Sequence, residues 1–92
     1  MKIPSQLLVR DQIYTVKFVD RIRGVKRGRG KCSFESQTIW IKRNMTEPEQ
    51  LVTFCHELLH AIEFEYEIDI PHGLIYALES PLAQVIVDNL AS

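Results

Sequence analysis

Thr46-Glu47-Pro48-Glu49-Gln50-Leu51-Val52-Thr53-Phe54-Cys55-His56-Glu57-Leu58-Leu59-His60-Ala61-Ile62 is the stretch on which the reading of this chain turns. Thr46 can cap a helix, Glu49 follows three residues later as a capping-box partner, and Pro48 is tolerated in a first turn. Leu51, Cys55, Leu58, Leu59 and Ile62 recur at helical spacing, which predicts a helix reaching at least Ile62. Four residues apart, His56 and His60 share one helix face a single turn apart, so both rings can offer a nitrogen to one metal ion. Two neutral imidazoles suit zinc, bound at ~2.0–2.1 Å per nitrogen. Glu57 is placed to take a proton from a water activated by the metal rather than to bind the metal itself. Cys55 points about 100° away from His56 and belongs to the apolar stripe. A chance His-Glu-x-x-His in a chain this short is on the order of one in a few hundred.

A catalytic zinc site needs a third protein ligand and an open position. His72, twelve residues past His60, is the first candidate, and Glu79 further along the same segment is the rival. Glu63 and Glu67 continue the face of His56 and His60. Lying on the same helix, they are expected to point away from the metal, either supporting a ligand or facing solvent.

Strands are expected ahead of this helix. Gln12 to Val19 alternates with period two and is rich in β-branched and aromatic residues. Ser5 to Arg10 reads as a shorter strand or lead-in. Lys31 to Glu35 and Thr38 to Lys42 make two β runs around Ser36-Gln37, with Ile39 and Ile41 on one side and Thr38, Trp40 and Lys42 on the other. After the helix, Glu63 to Ile70 alternates strictly, and the upstream pattern favours an overrunning helix and then a loop. Pro71 opens a second helix with Leu74, Ile75, Leu78, Leu82, Val85, Ile86 and Leu90 on one broad face. Pro81 is expected to kink it or to restart it behind a Ser80 cap. Strands first and helices second predict one α+β domain over residues 1–92, two helices on a small, largely antiparallel sheet.

The 92 residues hold 46% apolar and 25% charged side chains, a balance that excludes collagen-like and wholly disordered chains. No apolar run approaches the ~20 residues of a membrane helix. The first residues lack a signal-peptide apolar core, and two cysteines, Cys32 and Cys55, cannot build a disulfide framework. A reducing, cytoplasmic setting is therefore expected. The net charge of −1 hides a division: residues 1–43 carry all eleven Lys and Arg against three acids, and residues 44–92 carry nine acids and no Lys or Arg. The two halves can attract each other within the fold, or the basic half can face a polyanion. Arg21, Arg23, Lys26, Arg27, Arg29 and Lys31, interleaved with Gly24, Gly28 and Gly30, read as a flexible loop and are the candidate polyanion-binding residues.

His56-Glu57-Leu58-Leu59-His60, then Ala61, then His72-Gly73 a dozen residues on, resembles the SprT-like zinc metallopeptidases of the zincin class. Residues 38–41 and Thr46 ahead of the motif also look like small phage- and prophage-type metallopeptidases. The resemblance covers roughly residues 30–90. It implies that His56, His60 and His72 bind zinc, that Glu57 is the general base, and that the substrate is a protein or peptide. Two departures stand out: the N-terminus reads as strand where SprT-like proteins have a helix, and the cysteines of a C-terminal zinc ribbon are missing. The alternative is a non-catalytic module, held together by zinc, that binds nucleic acid or another polyanion through residues 21–31.

Overall fold

The computed structural model describes residues 3–25 and 28–90. Four strands precede two helices: β1 Gln6–Val9, β2 Gln12–Val19, β3 Gly30–Ser33, β4 Thr38–Lys42, α1 Glu47–Glu65 and α2 His72–Leu90. This is the small α+β architecture expected from the order of patterns. The sheet runs β1-β2-β4-β3, with β1·β2 and β3·β4 antiparallel and the central β2·β4 pair parallel. Parallel neighbours need a crossover of a dozen or more residues. Here the segment after β2, together with β3 itself, makes that crossover and leaves β3 on an edge.

Alternation decides which side of the sheet meets the helices. Tyr14, Val16, Ile39 and Ile41 turn inward and are buried. They meet Leu51, Phe54, Cys55 and Ala61 of α1 in one core cluster. Residues of the opposite parity, Leu8 and Ile13 among them, are 67% and 57% exposed. The Tyr14 hydroxyl, buried at the end of the core, donates to Glu65 Oε2 at 2.6 Å. Burial and the neighbouring carboxylate hold that phenol well above its ordinary pKa.

Thr46 caps α1 in extended conformation, and the Glu49 N–H donates to its Oγ1 at 3.3 Å. At the other end the helix overruns the sequence alternation to Glu65 and then stops in a left-handed turn. Glu67 has φ 54°, and the Ile68 N–H reaches back to the Glu63 carbonyl at 3.0 Å. Arg10, itself at φ 57° in the β1–β2 turn, donates to the Glu65 carbonyl at 2.9 Å and ties the hairpin to that helix end.

Two expectations fail in α2. The helix runs continuously through Pro81, so it is not restarted behind a Ser80 cap. Pro81 and Ala77, the residue whose carbonyl loses its intrahelical partner, are both exposed, so water can serve that carbonyl. The broad apolar face is also mostly outside. Only Ile75 and Ala83 are buried, with Leu82 and Ile86 partly covered, while Leu74, Val85 and Leu90 are about half exposed or more. The reason is that α2 packs on α1 and makes no substantial contact with the sheet, so a narrow stripe suffices.

The face assignment makes a direct expectation. Ile39→Ala should cost about 2–5 kcal/mol in urea unfolding, whereas Ile13→Ala should stay within roughly 0.5 kcal/mol.

Candidate metal centre

Helix α1 places His56 and His60 on successive turns, and the two Nε2 atoms stand 3.2 Å apart. Each ring turns its other nitrogen to a carboxylate. His56 Nδ1 is 2.8 Å from Glu79 Oε2 of α2, and His60 Nδ1 is 3.0 Å from Glu63 Oε1. A carboxylate accepts, so each Nδ1 carries a proton, and the neutral form of each ring then offers its Nε2 lone pair. Two lone pairs facing each other at that distance repel unless a cation shares them. The donor set therefore fits a metal ion.

His72, the first residue of α2, completes the cluster. Its ring centroid lies 5.4 Å from that of His56 and 5.2 Å from that of His60. One ligand atom from each of the three histidines falls within 4.8 Å of the others, a grouping that could hold one ion. Glu79, the rival third ligand, reaches the cluster from behind, on the Nδ1 side of the His56 ring. His72 is held near the cluster by the loop that precedes it. Glu63 Oε2 accepts from the Ile70 N–H at 2.9 Å while its other oxygen meets His60. One carboxylate thus fixes both a helix histidine and the approach to His72. Those bonds, first that of Ile70, hold the Glu63 carboxyl below its usual range. Glu67 is exposed and takes no such part.

Glu57 follows His56 and turns toward the sheet, only 7% exposed. Burial, and secondarily the Glu79 charge, push its carboxyl up to about 7. Gly30 makes room for it. A Cβ on Gly30 would stand 3.2 Å from Glu57 Cγ and 2.7 Å from Thr53 Cγ2, so strand β3 lies over the helix only because that side chain is missing. The sequence offered Gly30 merely as loop flexibility. A cleft of about 430 Å³ opens beside the site, lined by His56, Glu57 and Glu79 on one side and by Arg29, Gly30 and Tyr76 among its other walls. Tyr76 was not foreseen. Its ring sits 4.7 Å from that of His72 and 5.1 Å from that of His56. The signal was available, since His72 and Tyr76 are four apart on one helix face. Cys55 is fully buried in the core, as its place on the helix implies.

Four of the six candidate polyanion residues lie among the described residues. Arg21, Arg23 and Arg29 are exposed, Lys31 lies on β3, and Lys26 and Arg27 fall outside the described residues. Ile22 and Val25 pair in a short bridge around Gly24, and Ile22 is buried, so the segment is partly ordered by the core. Among the described residues the one Lys or Arg ion pair, Arg43 with Asp20 at 3.7 Å, lies within the basic half.

Glu57 gives the metal-free protein a pH signature. Its folded pKa, about 7, lies above the ordinary 4.5, so the neutral acid favours folding. That contribution is whole below pH 4.5 and fades as pH rises through 7. Glu57→Gln should therefore match the parent near pH 4 and exceed its stability near pH 8 by about 1–3 kcal/mol in chelator-treated samples.

No curated protein and no solved structure matches the chain significantly. The family described as Peptidase_M78, IrrE N-terminal-like domain, matches residues 16–79, which include the second half of β2, β3, β4, all of α1 and the start of α2 with His72 and Glu79. The SprT-like resemblance of the histidine spacing thus holds at the coarser, zincin-type level. With more than half its length matched, and with the histidine cluster inside the match, the chain belongs to the IrrE N-terminal-like family of peptidase-related domains.

Proposed function

We propose that this chain is a small zinc-dependent metallopeptidase whose metal is held by His56, His60 and His72. The observation that carries the reading is the convergence of the three rings, with the Nε2 atoms of His56 and His60 at 3.2 Å and both Nδ1 atoms engaged by carboxylates. A zinc ion supplies Lewis acidity, which polarises a peptide carbonyl and makes water easier to deprotonate.

The chain supplies the rest. Glu57 is buried beside the cleft with its pKa near neutrality, where a carboxylate can take a proton from water and give it to a leaving amine. Glu79 and Glu63 keep the two helix histidines in the tautomer that offers Nε2. The cleft beside Glu57 and His56 is where a peptide substrate would lie. Family membership supports a peptidase-type scaffold.

Glu57→Gln separates catalysis from binding. The zinc-loaded variant should keep its metal and lose cleavage of an unfolded protein by about 10²–10⁴-fold. Cleavage at the parental rate would overturn the mechanism. Glu63→Ala should weaken zinc binding by roughly 10–100-fold in chelator competition, because His60 loses its orienting partner and the segment before His72 loses its anchor.

A further inference from the structure

The helices leave one face of the sheet bare. Helix α1 packs on β1, β3 and β4, and α2 packs on α1. On the opposite face, register sets Lys17 of β2, Trp40 of β4 and Lys31 of β3 side by side, with the Lys31 ammonium over the indole ring, from which a stacking base would displace it. Two residues beyond Trp40, Lys42 shares that face. Lys17 and Lys31 are exposed, Trp40 is half-buried, and Lys31 Nζ stands 5.7 Å from the centre of the indole ring. With strands about 4.8 Å apart, the two flanking ammonium groups issue from positions roughly 10 Å apart with an aromatic ring between them.

This face carries one sign of charge. The acids of the first half, Asp11, Asp20 and Glu35, all lie outside the strands, and the other nine lie at or beyond α1. Among the described residues Lys17, Lys31 and Lys42 enter no ion pair. The positive half thus presents exposed Lys17 and Lys31, with the partly covered Lys42 beside them, around a half-buried tryptophan.

We propose that this outer sheet face binds single-stranded nucleic acid, with a base against Trp40 and backbone phosphates on Lys17, Lys31 and Lys42. An aromatic platform gains from a stacked base and has no comparable partner in an acidic peptide. The bases of a duplex are already stacked on one another, so a short sheet face cannot offer them the ring. The surface lies on the far side of the sheet from the cleft, and the proposal stands or falls independently of the peptidase reading.

Trp40 is the only tryptophan of the chain, so its fluorescence reports on this face directly. Titrating the full-length protein with a twelve-nucleotide oligo-dT should quench it saturably. Log affinity should fall against log salt with a slope of about −2, three phosphate contacts at about −0.7 each. Lys17→Ala with Lys31→Ala should flatten that slope to less than half. With a labelled oligonucleotide followed by anisotropy, Trp40→Ala should weaken binding roughly 5- to 100-fold, the range of one base–aromatic stack. Circular dichroism of each variant guards against mere unfolding, and Lys17→Arg with Lys31→Arg should restore the parental slope. Three results would overturn the proposal: no quenching at low salt by the folded parent, equal affinity for poly-glutamate of matched charge, or tighter binding to a duplex of the same sequence.

Discussion

Two imidazole Nε2 atoms 3.2 Å apart on one helix form an arrangement that calls for a proton or a metal ion between them. It persists here because each ring is pulled from behind. Glu79 reaches over from α2 to His56, and Glu63 leans along α1 to His60. The docking of α2 on α1, the turn between them and the placing of His72 are all organised about this pair. Glu63 makes the link concrete, since its second oxygen holds the Ile70 N–H just before His72. The arrangement is preorganised for a cation, and preorganisation of this kind turns two helix histidines into a site.

The sheet contributes by closeness rather than by ligands. Gly30 lets the edge strand approach α1 until Glu57 is covered, and burial then lifts its carboxyl toward neutrality. A larger side chain at position 30 would separate strand from helix and re-wet the carboxylate. A small residue on a strand and a carboxyl titrating near neutrality on a helix are thus one device. The cost to folding of a buried Glu57 is the same free energy that makes it a usable base.

Much of this was legible in the chain itself. The cap at Thr46, the helical spacing from Leu51 to Ile62, the four-residue step between the histidines and the parity of Ile39 and Ile41 are local patterns, and local patterns survive folding. Relations set by tertiary contact were not legible. The parallel pairing of β2 with β4 depends on how the intervening segment crosses over, and Gly30 gains its meaning only from the helix that presses against it. The behaviour of Pro81 follows from its exposure, which the sequence does not display. The charge division allowed two readings, because a count of charges along the chain does not say which of them meet in the fold. The family likewise became specific only through the match over residues 16–79, because a histidine spacing alone is shared by several zincin-type groups.

The central claim is that His56, His60 and His72 together hold one metal ion, and X-ray absorption at the zinc edge on protein prepared without a histidine tag tests it most directly. The account expects about one zinc per chain with three nitrogen neighbours at roughly 2.0–2.1 Å, one of them lost in His72→Ala. A folded chain that takes up no zinc after metal addition, or one whose zinc environment is unchanged in His72→Ala, would contradict it.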